Sequence, residues 1–321
     1  MSLEQLAACS MDTMTLYYSK RSRQNVVSHL RQLSIFCVAF NEVFLPTSRF
    51  TLLGFIELMS RSCQYDHIQH VMGSIRFIHK FKNLEFAGDS FEFEILLRGL
   101  RRKLARPARQ VLPVTPEILE LMYPHINVNS PVDLAHWTSF LFALRLLYRK
   151  SSIAPESLAS FNPITGLSRQ KAVITDGVIL VYQNFSKTNQ FMSANRTTPL
   201  ISGNILALDP VFHYHKLVSE NEVPNYCPAF SYVSNGRVKC VTYRSFTTFL
   251  KTLLTKIGLN PDLWSGHPFR RGGASLLYKL GIDPRTIQAC GDWSTDTFLR
   301  YLEVNFDRLW TAQVAMATYS G

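Results

Sequence analysis

The sequence contains no run of 18 uncharged apolar residues, so it offers no candidate for a helix that crosses a bilayer. It also lacks any low-complexity tract. It has no Cys-x-x-Cys pair: Cys9, Cys37, Cys63, Cys227, Cys240 and Cys290 are scattered, which suits neither a zinc site nor a disulfide framework and fits a reducing compartment. His67 with His70, and His213 with His215, have spacings a metal accepts, but no acidic or thiol partner follows, and no metal or cofactor is expected. The first 20 residues include Glu4 and Asp12 and no strong apolar block, so no signal peptide is expected either. Acids are scarce as well. Against 34 Lys and Arg stand 23 Asp and Glu, and the net charge of +11 points to an anionic partner, nucleic acid, with basicity of no specific purpose as the plainer alternative.

What is present divides in two. At 321 residues the chain suits two domains, each large enough to bury a core. Val26, Leu30, Leu33, Cys37 and Phe40 recur at alternating steps of four and three, which predicts a helix over 21–44. Pro46, Thr47 and Ser48 break it and cap a second helix, TLLGFIELMS. Ile68, Met72, Ile75 and Ile78 place a third over 65–82, and a fourth runs from Phe91 into LLRGLRRKLA. These make a helical bundle over 1–107. Arg98, Arg101, Arg102, Lys103, Arg106 and Arg109 follow with no acid among them, then Pro107 and Pro113 end any helix. The basic stretch 98–113 leads into a linker near 104–113, either a solvated face or a strap lying across phosphates.

The second domain, 114–321, opens on Thr115-Pro116-Glu117, a helix-start signature. A long apolar helix is expected from Pro131 to Tyr148. KAVIT, the Asp176-Gly177 turn, VILVYQNF and a run ending at Ile201 predict a small antiparallel sheet. After Pro224 the pattern is helical again through SFTTFLKTLLTKIG, PFRRGGASLLYKLG, PRTIQACG and TDTFLRYLEVNF, with Gly258, Gly281 and Gly291 where terminating glycines belong. The class is mainly α (α+β).

The richest stretch is Ser265-Gly266-His267-Pro268-Phe269-Arg270-Arg271-Gly272-Gly273. Pro268 fits the first helical position, which puts His267 at the helix start and Arg270 three residues on, sharing a face. An imidazole and a guanidinium converging at a helix N-terminus form a site for one phosphate. The plainer alternative is a capping His beside a solvated Arg. Gly291-Asp292-Trp293 comes next, and Tyr301 stands eight residues after Trp293.

His-x-x-Arg, then Trp, then Tyr resembles the C-terminal half of the tyrosine recombinase and integrase superfamily. The interval of eight and the Gly-Asp-Trp-Ser-Thr-Asp run are most similar to enzymes of Crypton and DIRS-type eukaryotic mobile elements. The resemblance implies two more residues upstream. Its first arginine ends an apolar helix, and LFALRLLYRKSSI offers Arg149, with Arg145 as competitor. Its lysine sits on a β-hairpin turn, where NFSKTNQ supplies Lys187. The family usually has Glu three residues after the first arginine, where this chain has Ser152.

The implied activity is cutting and rejoining double-stranded DNA through a 3′-phosphotyrosyl link to Tyr301, with no metal or ATP. A free phenol, with a pKa of about 10, needs help to attack. Arg149 and Arg270 stabilise charge on the non-bridging oxygens, Trp293 donates a hydrogen bond, His267 takes the Tyr301 proton and Lys187 protonates the departing 5′-oxygen. The helical N-terminal domain is expected to grip the duplex, with a tetramer forming on DNA. Phe306, Leu309, Trp310 and Val314 recur on one face of a C-terminal helix, for docking on a neighbouring protomer or on the chain's own domain. Localisation follows the source: nucleus for a eukaryotic element, otherwise cytoplasm or nucleoid. The competing expectations are a type IB topoisomerase and a domesticated DNA-binding protein that keeps the fold without the chemistry.

Overall fold

A computed structural model describes residues 14, 17–106, 111–185, 189, 195–264, 267–301, 313–314 and 316–318. The chain separates into two compact units, Met1–Ala108 and Arg109–Gly321.

The first unit is built from four helices, α1 (Lys20–Phe40), α2 (Arg49–Ser60), α3 (Tyr65–Phe81) and α4 (Phe91–Lys103). Ser19 and Ser48 start α1 and α2, each accepting a backbone N–H three residues on, as short hydroxyl side chains do at helix starts. Leu33, Phe36, Cys37, Leu52, Phe55, Ile68, Ile75 and Phe93 make the core. The stripe expected on α1 holds at Leu33 and Cys37 but fails at Phe40, which is 60% exposed. The helix ends there, Asn41 turns the chain through φ 53°, and Phe36 takes the inward place. The α1–α2 connection is pinned from below by buried His79, whose Nε2 accepts the Thr47 N–H at 3.0 Å.

The fourth helix runs into the basic stretch as its pattern suggests. Arg98, Arg101, Arg102 and Lys103 belong to α4, which runs to Lys103 before the chain turns irregular. Phe93 and Leu100 of α4 are buried, while on its exposed side Glu94 pairs with Arg98 at 2.7 Å across one turn and Glu57 of α2 meets Lys103 at 3.4 Å.

The second unit is organised around α6 (Pro131–Arg145), following α5 (Pro116–Met122), whose start is capped by Thr115. Every residue of α6 from Leu134 to Leu144 is buried. A helix apolar on all sides has to be central, and α6 ends at Arg145, three residues short of the expected Tyr148. A short α7 (Lys150–Ile153) follows. The strands β1 (Ala172–Thr175), β2 (Val178–Gln183) and β3 (Arg196–Ile201) form an antiparallel sheet in that order. Asp176 and Gly177, at φ 44° and 76°, make the two-residue turn between β1 and β2, as their residue types suggest.

Two features were not expected. Asp209 caps α8 (Pro210–Glu220), and β4 (Ser231–Ser234) and β5 (Arg237–Cys240) form a hairpin through Asn235-Gly236. The chain then continues through α9 (Tyr243–Lys256), α10 (Pro268–Lys279) and α11 (Pro284–Gly291) to a 3₁₀ turn, Asp296–Tyr301.

Candidate active site

His267 is the N-cap of α10 and Pro268 its first residue, as the sequence suggests. The next two turns explain the paired glycines. A Cβ on Gly272 would lie 1.8 Å from the Val114 carbonyl oxygen, and one on Gly273 would lie 2.3 Å from that of Leu144. Only glycine lets α10 press so closely on the end of α6.

That approach buries Arg270, which is 3% exposed although its guanidinium is charged at any physiological pH. Its Nη1 donates to the Leu147 carbonyl at 2.7 Å, and its guanidinium carbon lies 3.8 Å from the centre of the Trp293 ring. A cation on a desolvated indole face gains about 2 kcal/mol, which offsets part of the cost of burying it. Leu147 adopts φ 53°, a left-handed conformation that costs a branched L-residue about 1–2 kcal/mol. The strain turns its carbonyl toward Arg270, and the residue is 2% exposed.

Beneath these groups lies a small apolar cluster separate from the main core: Leu147, Ala274, Ile287, Trp293 and Phe298. Its members come from the segments that carry or flank Arg149, Arg270, Trp293 and Tyr301. Leu147 lies two before Arg149, Ala274 follows Arg270 on α10, Ile287 is on α11, and Phe298 is in the turn that ends at Tyr301. Trp293 and Phe298 pack with ring centres 5.7 Å apart. Gly291 is not the left-handed terminator of α11; Asp292, at φ 54°, fills that role. Gly291 is needed for space, since a Cβ there would meet the Trp293 ring at 1.7 Å. Gly258 and Gly281 do adopt positive φ, 78° and 82°.

The structure thus brings Arg270 and Trp293 together with the Leu147 carbonyl, and Phe298, packed on Trp293, belongs to the turn that ends at Tyr301. His267 is exposed at the start of α10, and Arg149, half-buried, occupies the N-cap position of α7. The competitor Arg145 is exposed and donates to the Ile201 carbonyl at 3.1 Å on the sheet edge. Ser152, where Glu is usual in the resembling family, donates its backbone N–H to the Arg149 carbonyl at 2.8 Å. Lys187, Arg109, most of the C-terminal stretch (Phe306, Leu309 and Trp310) and the side chain of Tyr301 lie outside the described residues. Arg98, Arg101, Arg102, Lys103 and Arg106 are exposed on the first unit.

Sequence reasoning missed three contributors: Leu147, Tyr148 and Arg196. Tyr148 is buried, and burial pushes its phenol up to about 12, with Arg196 drawing it down and Asp292 adding to the rise. Arg196 donates from Nη2 to the Cys290 carbonyl at 2.8 Å. The one available signal was a cation on the same side of β3 as buried Leu200. Among the described residues no three His, Cys, Asp or Glu side chains converge as metal ligands do. His213 is instead buried in the core, its Nε2 3.0 Å from the Leu206 carbonyl.

No family model matches the chain, and no curated protein matches it in sequence. Solved structures do. The Tn1549 transposon integrase, in complex with transposon right end DNA, superposes with TM-score 0.63 at 14% identity over 99% of this chain and 100% of that one. The XerH site-specific recombinase bound to difH substrate gives 0.59 at 15%, covering 88% and 76%. A lambda integrase dimer bound to a COC' core site gives 0.56 at 13%, covering 94% and 96%. Mostly helical, with small antiparallel sheets, and similar over nearly its whole length to these proteins, the chain has the tyrosine recombinase fold.

Proposed function

We propose that the protein is a DNA recombinase that breaks and rejoins strands through a phosphotyrosyl intermediate on Tyr301. The observation that carries this reading is Arg270: a permanent cation, buried, held by the Leu147 carbonyl and the Trp293 ring, three residues from His267 at a helix start. Burial of this kind fixes a guanidinium for one ligand geometry, and a phosphodiester matches its planar donors.

In the proposed step the Tyr301 phenol oxygen attacks phosphorus as its proton passes to His267. The bond from phosphorus to the 5′-oxygen breaks, and that oxygen takes a proton from Lys187. Arg149 and Arg270 face the non-bridging oxygens, where negative charge gathers. A 5′-hydroxyl from another strand reverses the sequence and releases Tyr301. The energy of the broken bond is kept in the protein link. Four cuts exchange two duplexes, so four protomers gather on DNA; one solved neighbour is a lambda integrase tetramer bound to a Holliday junction. The net charge of +11 opposes such assembly until DNA neutralises it. We assign the activity to a mobile element of the Crypton or DIRS type, working in a nucleus, on the eight-residue spacing from Trp293 to Tyr301. The four-helix unit and the exposed arginines of α4 serve as duplex contacts.

The test is covalent capture. A randomised library of nicked duplexes is incubated with the protein, and SDS-resistant adducts are digested for mass spectrometry. The expected result is DNA attached to Tyr301 and absent from Tyr301→Phe. An adduct on another residue, or one that persists in Tyr301→Phe, contradicts the assignment. One reading competes, a DNA-binding protein of this fold without the chemistry, favoured by Ser152 alone; it predicts duplex binding with no adduct at all.

A further inference from the structure

We infer that Arg196 is a positioning residue for this chemistry: from β3 it clamps the turn 290–293 in the place that keeps the Trp293 ring over Arg270. The inference rests on the strand-transfer reading above. Its starting point is a contact between residues 94 positions apart, the 2.8 Å hydrogen bond from Arg196 Nη2 to the Cys290 carbonyl.

The strand side of the clamp is stiff. β3 pairs with β2 along its whole length, Arg196 opposite Gln183 and Leu200 opposite Ile179. Leu200 and Ile179 are buried in the main core, so the row Leu200, Thr198, Arg196 points inward and its register cannot slip without exposing them. Arg196 is the last inward residue before the connection 184–195, which contains Lys187.

The helix side has little slack. Cys290 is the penultimate residue of α11, where carbonyls have no partner within the helix and carry its negative dipole end. A guanidinium answers both needs. From that carbonyl the chain passes through Gly291, which has no room for a Cβ, to Asp292 in a left-handed turn and then to Trp293, whose N–H returns to the Gln288 carbonyl at 3.2 Å. A shift of the Cys290 carbonyl therefore moves the indole, and the indole covers Arg270 at 3.8 Å. Buried Tyr148, the residue before Arg149, also senses the Arg196 charge. Arg196 thus stands between the segment carrying the first arginine and the turn that holds the second. A purely structural arginine would contribute stability without this directional coupling.

The test is a double-mutant cycle. Arg196→Gln, Arg196→Lys, Trp293→Ala and Arg196→Gln/Trp293→Ala are compared in single-turnover cleavage on a nicked duplex that wild type attacks. Duplex affinity, Tm and amide hydrogen exchange at 290–293 are measured alongside. Arg196→Gln should slow cleavage by about 10- to 100-fold, the scale of a small misplacement of reacting groups, with affinity and Tm near wild type. Exchange at Asp292 and Trp293 should quicken, and Arg196→Lys should recover part of the rate. In the Trp293→Ala background Arg196→Gln should cost little more, because the two act through one another. Additive losses, or a loss accounted for by affinity or Tm, overturn the inference. If Arg196→Gln does not fold, Arg196→Lys completes the same cycle. If wild type forms no adduct, the strand-transfer reading has failed, and exchange alone decides the clamp: unchanged exchange at 290–293 sinks it, faster exchange upholds it.

Discussion

Arg270 is 3% exposed, while the Arg98 side chain, on α4 of the other unit, is 74% exposed and pairs with Glu94 one turn away. Arg101 and Arg102 share that exposed surface. The side chain is the same, yet the physics is opposite. In water the α4 charges are screened over about 8 Å and their positions are soft, so they raise affinity without defining a geometry. Arg270 has lost its water, and its orientation is set by a strained Leu147 carbonyl and an indole face. A charge held at that cost serves one ligand position. The comparison separates gripping a duplex from acting on one phosphate, and each half can be broken alone.

The largest effect belongs to the buried side. Arg270→Ala and Arg149→Ala should each reduce single-turnover cleavage by on the order of a hundredfold or more, with duplex affinity nearly kept, as when a preorganised oxyanion donor is removed. Arg145→Ala should cost far less, because that side chain serves the Ile201 carbonyl at the sheet edge. Equal losses at Arg145 and Arg149 would reverse the choice between them.

Next in size is the packing that buries Arg270. Gly273→Ala puts a methyl 2.3 Å from a backbone oxygen that cannot rotate away, so α10 must retreat from α6. Overpacking of this type costs about 1–3 kcal/mol, read as a drop in Tm, and cleavage should fall with it because Arg270 moves too. A Gly273→Ala protein with wild-type Tm and rate would show the contact to be slack.

Acid sharpens the same contrast between buried and exposed groups. Burial lowers His213 from 6.5 to about 4, so the folded state resists a proton that the unfolded state accepts. Stability should therefore fall as pH drops from 6.5 toward about 4 and flatten below that. In His213→Gln the decline over that window should be shallower in thermal melts; an unchanged decline would assign it to other groups, such as buried His136.

The smallest effect lies on α4. Replacing Arg98, Arg101 and Arg102 together by Ala should leave the cleavage rate at saturating protein intact. Each phosphate contact so removed should lower the slope of log affinity against log salt by about 0.9. An unchanged slope would show that this face does not meet DNA.

The legible parts of the molecule were those fixed by neighbours in sequence. Thr115-Pro116, Asp176-Gly177 and His267-Pro268 act within a few residues, and each stands where it was expected. Asp209-Pro210 and Asn235-Gly236 carry the same local signals for α8 and the β4–β5 hairpin. Other features were not legible at all. Leu147 is an unremarked Leu in an apolar run, and only the arrival of α10, more than a hundred residues later, gives its left-handed carbonyl a partner. The bond from Arg196 to Cys290 likewise joins positions that no local pattern relates. Residue types announced the site, but long-range packing decides what holds it.

The central claim is that Arg270 is held in place to meet charge on a phosphate. It is tested most directly by measuring Arg270→Ala cleavage on two matched nicked duplexes, one with an ordinary scissile phosphate and one with a methylphosphonate there, which lacks the non-bridging negative charge. The account predicts a loss of about a hundredfold or more on the phosphate and a loss at least tenfold smaller on the methylphosphonate, with Tm near wild type. Equal losses on the two substrates would mean that Arg270 supports the fold and does not face the reacting phosphate.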